Sequence, residues 1–320
     1  MLAHASDMPV LKFLLTAGYF ALPYLLYLFL FVLLFDLLLA LNRLLGIVPR
    51  KVVDSPPFKT ILFCLLLGLA AAVVVKGSLD YDRMKVNAFR IEVPRRASAL
   101  THLRIVLAAD FHLGDTTHKR FLAAFPERIN ALQPDIVLIP GDVLEGDREG
   151  GTTEFERCFR RIRSAYGIFA SPGNHEYHGN GQMGFFQRAG IRMLEDSLAV
   201  IDRAFVLAGR NDAHSRSRLE LAALISGAPP DLPLIVLDHR PTPLAELRGR
   251  NVDVQLSGHT HHGQMFPFNI VTSIQYELSW GYKKIENTHL FVTSGIQAWG
   301  PQVRTAGQSE IMLIDVTFKN

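Results

Sequence analysis

The chain has 320 residues, 49% of them apolar, and a net charge of +3 spread along its length. That length holds one large domain and a smaller segment, and so slight a positive balance offers no basic groove for nucleic acid. Two cysteines, Cys64 and Cys158, fall in different parts of the chain and exclude a disulfide framework in either.

The apolar residues crowd the front. From Val10 to Leu41 the only charged side chains are Lys12 and Asp36, and PYLLYLFLFVLLF at Pro23–Phe35 is as apolar as a bilayer core. This run is too long for a signal peptide, and its start, MLAHASDM, lacks the basic residues such a peptide carries. A second run, Ile61–Val75, is flanked by Lys59 and Lys76, which can reach the two interfaces. The sequence therefore predicts two transmembrane helices, at about 10–41 and 58–76, within a membrane anchor of residues 1–80. The loop between them carries Arg43, Arg50, Lys51 and Lys59 against Asp54 alone, which predicts a cytoplasmic loop and a following domain outside the cell membrane, periplasmic or extracellular. Lys76, Arg83, Lys85 and Arg90 just past the second run pull the other way.

Residues 81–100 read as a polar linker and a short entering strand, and 101–320 as the catalytic domain. From Leu100 onward short apolar runs alternate with longer periodic ones, the pattern of strands separated by helices. Strands are predicted at Leu103–Asp110, Asp135–Asp142, Gly167–His175, Ala204–Asp212, Leu234–His239, Val252–His259, Leu290–Gly295 and Glu310–Phe318. Helices are predicted at Thr117–Gln133, with Pro126 a break or kink, and at Glu154–Ala165, Gln182–Ala189 and Arg218–Ile225.

In α/β architectures ligands gather at the carboxyl ends of strands. Those ends carry Asp110 and His112 in ADFHLG, Asp142 in PGDV, Asn174 and His175 in PGNHEY, His239 in LDHRP, and His259 and His261 in SGHTH. Each piece alone is a common turn or cap. Together they form a carboxylate, imidazole and amide set without thiolate, suited to Mn, Fe, Zn or Co and larger than one tetrahedral ion requires.

The ordered set DFH, GD, GNHE, DH and GHTHHGQ, from about Leu103 to Asp315, resembles the calcineurin-like metallophosphoesterase superfamily, and within it a membrane-associated bacterial branch with hydrophobic N-terminal spans and GHTH-x-GQ. The resemblance implies an α/β fold, a four-layer αββα sandwich, and two divalent metal ions. One ion would be held by Asp110, His112, Asp142 and His261, the other by Asp142, Asn174, His239 and His259, with Asp142 bridging. Two ions about 3.5–4 Å apart can clamp an in-line displacement at phosphorus, with a bridging hydroxide as nucleophile. His175 corresponds to the superfamily's non-ligating histidine, which assists the leaving group; a hydrogen bond to a ligand is the alternative. Purple acid phosphatases place a tyrosine three residues after the bridging aspartate, where this chain has Glu145.

Of the remaining polar residues, Arg304 could bind a substrate phosphate. Arg210-Asn211-Asp212 reads as a turn, and His118, His178 and His214 as surface. Pro267–Tyr282 is either a substrate or membrane-facing wall or a packed loop. In an extended segment residues two apart share a side, so His259 and His261 are expected to face the metals and His262 to stand beside them. The function implied is a membrane-anchored phosphoric ester hydrolase acting on mono- or diesters, of a lipid or an envelope glycolipid. A nuclease or cyclic-nucleotide phosphodiesterase, and a non-catalytic metal-binding scaffold, are the alternatives. The sequence leaves the oligomeric state open.

Overall fold

The structure, a computed structural model, describes residues 9–146, 152–177 and 183–319. By internal contacts the chain divides into two units: residues up to Tyr81 together with Gly300–Thr305, and Asp82–Trp299 together with Ala306–Asn320.

The first unit is built on α1 (Pro9–Leu45), the single turn α2 (Arg50–Val53) and α3 (Pro56–Asp82). Both long helices are apolar on every side and leave residues such as Phe29, Leu37, Ile61 and Phe63 exposed, the surface expected of transmembrane helices facing acyl chains. Each is longer than the sequence predicted: at ~1.5 Å per residue α3 reaches ~40 Å, beyond a bilayer core of ~30 Å. Asn42 closes the turn after α1, donating from Nδ2 to the Val48 carbonyl at 3.0 Å and accepting the Val48 N–H at 2.7 Å. Arg304, on the short segment Gly300–Thr305, donates its backbone N–H to the Gly77 carbonyl at 2.9 Å.

The second unit is two six-stranded sheets. In chain order its elements are β1 (Lys85–Pro94), β2 (His102–Leu107), α4 (Lys119–Ala131), β3 (Ile136–Pro140), α5 (Thr153–Arg160), β4 (Ile168–Ser171), α6 (Met183–Ala189), β5 (Ile191–Met193), β6 (Ser197–Ile201) and β7 (Phe205–Gly209). There follow α7 (Leu221–Ile225), β8 (Leu234–Leu237), α8 (Leu244–Leu247), β9 (Val254–Ser257), α9 (Phe268–Gln275), β10 (Gly281–Ile285), β11 (Thr288–Val292) and β12 (Glu310–Lys319). The first sheet has the order β1-β12-β2-β3-β4-β5 and the second β10-β11-β9-β8-β7-β6. Strands β2 to β5 are mutually parallel, as are β7, β8, β9 and β11. The stretch expected to hold a linker and a short strand is instead the end of α3 followed by ten-residue β1, paired along its whole length with β12.

Strand alternation sorts the side chains into three cores. Leu103, Ile105 and Leu107 of β2, Leu138 of β3, Leu207 of β7 and Leu237 of β8 meet between the sheets. The opposite faces, Val106, Val137 and Ile139, pack against Phe125 and Ile129 of α4, Phe159 of α5 and Phe185 of α6. On the second sheet Val206, Ala208 and Val236 pack against Leu221 and Leu224 of α7 and Leu247 of α8. Helix, sheet, sheet, helix is the four-layer αββα arrangement the resemblance implied.

Pro126 neither breaks nor ends α4; it lies buried in the helix interior beside Phe125. Strands β5, β6 and β10 and helices α8 and α9 were not foreseen; β5 and α8, at three and four residues, are too short to show a period of their own.

Candidate metal centre

Every ligand position foreseen in the sequence follows the carboxyl end of a parallel strand: Asp110 after β2, Asp142 after β3, Asn174 after β4, His239 after β8 and His259 after β9. The first sheet supplies three of these loops and the second sheet two, so the residues converge where the rims of the sheets meet. The backbone there is unusual. Asp110, His112, Asp142, His259 and His261 all have positive φ, between 43° and 71°, a region that Asp and His tolerate better than most residues yet occupy at a cost of ~1–3 kcal/mol each. The expectation that His259 and His261 share a side because the segment is extended is therefore corrected. His261–Gly263 is a 3₁₀ turn and the backbone is left-handed at His259, His261 and His262; the turn, not a pleat, aims the two rings.

Two glycines make room for the side chains. A Cβ on Gly258 would stand 2.5 Å from Asp110 Oδ2, and one on Gly141, at φ 79°, 2.5 Å from His239 Nδ1. The glycines of GH and GD thus let a ligand carboxylate and a ligand imidazole lie directly on the backbone.

His239 is fully buried, and its Nδ1 lies 2.9 Å from the Pro140 carbonyl, which can only accept; Nδ1 therefore carries the hydrogen. Its Nε2 lies 3.1 Å from Asp142 Oδ2, 3.2 Å from Asn174 Oδ1 and 3.2 Å from His259 Nδ1. A carboxylate oxygen, an amide oxygen and two imidazole nitrogens meet at one point, a set that suits a cation. Burial opposes a proton on His239, but Asp142, Asp110 and the Pro140 carbonyl outweigh it and push the imidazole up to about 10. Burial, with the charges of His239 and Arg240, pushes His259 down to about 3. The donor set at this point, a carboxylate, an amide oxygen and two imidazoles, fits a divalent cation.

On the other side of Asp142, His112 Nε2 lies 3.1 Å from His261 Nε2 and 3.8 Å from Asp142 Oδ2, and His261 Nε2 lies 3.7 Å from Asp110 Oδ1. Asp110, His112 and His261 form one candidate metal group, and Asp142, His239 and His259 another. Asp142 Oδ2 faces both His239 and His112. Burial opposes charge on Asp142, yet His239, His112 and His175 hold it well below the usual carboxylate range. Burial, only partly offset by His239 and reinforced by Asp142, holds Asp110 above that range. Two hydrogen bonds from the His259 N–H, at 3.0 and 3.2 Å, fix the Asp110 carboxylate.

His175 stands at the edge of this cluster, in a short 3₁₀ turn after Asn174, its backbone N–H donating to Asp142 Oδ1 at 2.9 Å. Its Nδ1 lies 3.1 Å from Glu145 Oε2, and the same oxygen lies 2.8 Å from His112 Nδ1. Burial works against a proton on His175, but Glu145 and Asp142 outweigh it and raise the imidazole above its ordinary value. Burial likewise opposes charge on Glu145, and its two histidine partners bring it down to about 2.

Two carboxylates of the site were not assigned a role from sequence. Glu145 served there only to separate this chain from purple acid phosphatases. Glu176, the last residue of GNHE, accepts the backbone N–H groups of Asp142, Val143 and Gly173 at 2.9, 2.8 and 2.7 Å and so ties the GD turn to the GNHE turn. Its signal was a carboxylate inside a ligand motif. Asp238, beside His239, is fully buried and takes Arg210 Nη1 at 3.1 Å, Arg218 Nη2 at 2.9 Å and Thr242 Oγ1 at 2.7 Å.

The softer candidates scatter. Arg304 belongs to the first unit. Arg210-Asn211-Asp212, read as a turn, is buried, with Asp212 taking Arg240 Nε at 2.8 Å and His214 Nδ1 at 2.8 Å. His118 lies 3.5 Å from Asp82 at the start of α4. The His262 ring packs 4.7 Å from that of Trp280. His178 lies outside the described residues.

Comparison with known proteins agrees with this geometry. Residues 103–263 match the family model for calcineurin-like phosphoesterases. An uncharacterized metallophosphoesterase of Helicobacter pylori is 31% identical over 226 residues, covering 68% of this chain and 60% of its own. A transmembrane protein with metallophosphoesterase domain from Danio rerio is 29% identical, covering 85% of this chain and 67% of its own. The UDP-2,3-diacylglucosamine pyrophosphatase of Chlamydia trachomatis is 22% identical, covering 78% of this chain and 95% of its own. The chain thus spans about three fifths of the length of the Helicobacter relative.

Proposed function

This chain belongs to the calcineurin-like phosphoesterase family, and on that footing we propose that it is a membrane-anchored, metal-dependent hydrolase of phosphate mono- or diesters. The helices up to Asp82 anchor it, and the residues after them, with β1 part of the first sheet, carry the chemistry, on the periplasmic or outer side. The observation that carries the reading is the meeting of Asp142 Oδ2, Asn174 Oδ1 and His259 Nδ1 around His239 Nε2, a donor set that suits a divalent cation. Asp110, His112, Asp142 and His261 would hold one divalent ion and Asp142, Asn174, His239 and His259 a second, each Mn, Zn, Fe or Co. Such ions supply charge neutralisation at the phosphoryl group and coordinated water acidic enough to ionise near neutral pH.

The chain's own residues do the rest. His175, its proton retained by Glu145, donates from Nε2 to the departing ester oxygen, a step worth typically ~10²–10⁴ in rate. Glu145, shared between His112 and His175, fixes Nδ1 of both rings as the protonated nitrogen, so the other nitrogen of His112 faces the centre. Glu176 holds Asp142 and Asn174 in register through the backbone of their two turns. The membrane helices and the Chlamydia relative support a substrate of the membrane itself, a lipid or an envelope glycolipid bearing a phosphate or pyrophosphate.

The test is turnover by the full chain in detergent of an aryl phosphomonoester and an aryl phosphodiester, with added Mn²⁺ or Zn²⁺ or with chelator. Turnover that is unaffected by chelator, or by Asp142→Ala, overturns the reading.

A further inference from the structure

Helix α9 is inside out. Its polar residues Asn269 and Thr272 are partly covered, with Thr272 Oγ1 donating to the Asn269 carbonyl at 3.1 Å. Phe268, Ile270, Val271 and Ile274 project into solvent, Ile274 being 81% exposed and the other three 44–56%. Phe268, Val271 and Ile274 follow one another at a spacing of three and so share a side, which Phe266, 51% exposed, extends at the helix entry. None of α9's residues is buried. A soluble surface helix turns such a stripe inward, because each fully exposed large apolar side chain forgoes ~1.5–3 kcal/mol.

Three further observations say what the stripe is for. It is continuous with the metal centre: the ring of His259 packs edge-on 6.2 Å from that of Tyr276, directly after α9, and His262, next to His261, packs on Trp280. No Asp, Glu, Lys or Arg occurs from Val254 through Tyr276, so nothing on the segment resists removal from water. Beyond the segment, past Glu277, stand Trp280 and Tyr282, each about two fifths exposed, the residue types that settle at a bilayer interface. The same chain carries two bilayer-spanning helices, so acyl chains are the apolar phase at hand.

We propose that the exposed stripe of α9, with Phe266, is the acyl-chain platform of the metal centre. It enters the headgroup boundary of the bilayer and receives the hydrocarbon part of a phosphate ester whose phosphorus lies at Asp142 and His259. The proposal rests on the hydrolase reading above and narrows its substrate to amphiphilic, acyl-bearing phosphate esters.

Full chain in nanodiscs is compared with its Val271→Asp/Ile274→Asp variant on two substrates, a water-soluble aryl phosphate ester and a series of acyl phosphate esters of increasing chain length. In the parent chain kcat/KM rises at least tenfold from short to long acyl chains relative to the aryl ester; in the variant the rise is lost and the ratio becomes flat. A parent without chain-length dependence, or a variant that retains it, overturns the platform. If the parent hydrolyses none of these esters the hydrolase reading fails instead, and the platform is judged by quenching of Trp280 fluorescence with acyl-brominated phospholipid in a Trp299→Phe background. Quenching that Val271→Asp/Ile274→Asp halves supports it; quenching absent, or equal in both, overturns it. A change of oligomeric mass in the variant without either effect assigns the face to a second copy and also overturns it.

Discussion

Glu145 and His175 share a contact of 3.1 Å, Oε2 to Nδ1, made by the same carboxylate oxygen that lies 2.8 Å from His112 Nδ1. One oxygen thereby fixes the tautomer of a candidate metal ligand and the proton of a candidate general acid. The general acid must be protonated to act, and its proton is held because the carboxylate outweighs the burial of the ring. Glu145→Gln removes that charge, so the basic limb of the kcat–pH profile should move to lower pH. The loss should reach ~10²-fold for esters with poor leaving groups and nearly vanish for nitrophenyl esters, which need no acid. An unmoved basic limb would remove His175 from the proposed role.

Asp142 Oδ2 faces both His239 and His112, and Asp142 is the residue proposed to serve both ions. Asp142→Asn keeps its volume but removes its negative charge and one of its two oxygens, and should lower bound metal by at least one equivalent by elemental analysis while cutting turnover by ~10³ or more. Retention of the full metal content would show that the sites form without the Asp142 carboxylate.

Glu176, partly buried, accepts the backbone N–H groups of Asp142, Val143 and Gly173. Glu176→Ala would strand them at a cost of ~1–3 kcal/mol apiece, and a fall in thermal midpoint of several degrees is expected. Glu176→Gln, which keeps one acceptor oxygen, should fall between the parent and the alanine variant. Equal midpoints for all three would contradict the contacts described.

Asp212 is buried, and although burial works against its charge, the His214 backbone and ring and Arg240 bring its carboxyl down to about 2. A depressed folded pKa gives stability that is fully present above the unfolded carboxylate value of ~3.9 and fades as pH falls through about 2. The shift corresponds to on the order of 2 kcal/mol. Asp212→Asn should therefore be less stable than the parent at pH 5–7 and converge on it toward pH 2, read as thermal midpoint against pH. A gap that stays constant down to pH 2 would exclude this ion pair as its source.

Gly258 leaves no room for a side chain, since a Cβ would meet Asp110 Oδ2 at 2.5 Å and Ala109 Cβ at 2.9 Å. Gly258→Ala should displace the Asp110 carboxylate and weaken metal binding by ~10–100-fold in a competition titration; unchanged affinity would mean that Asp110 does not ligate in this position.

Much of this was readable from residue order. The strands of the sandwich core show themselves as β-branched runs, and their ends, marked by Asp110, Asp142 and His239, locate the centre without coordinates. What was not readable has physical reasons. Strand β5 is three residues long, below the length at which alternation is visible, and β6, at five, shows a single buried–exposed–buried step. The aim of His259 and His261 depends on left-handed φ values that no spacing rule encodes. The role of Glu145 depends on His112 and His175 arriving beside it from other loops. Pro267–Tyr282 was apolar enough to be a wall or a packed loop, and only the exposure of α9 separates the two.

The pairing of β1 with β12 has a consequence for how the protein is made. β1 follows α3 directly, yet its ten hydrogen-bonded partners are Glu310–Lys319. A ribosome that has already delivered both helices to the bilayer must synthesise everything between Pro94 and Glu310, on the order of tens of seconds of translation, before the first sheet can close. During that interval β1 carries unpaired backbone groups, open to any chain that can pair with them.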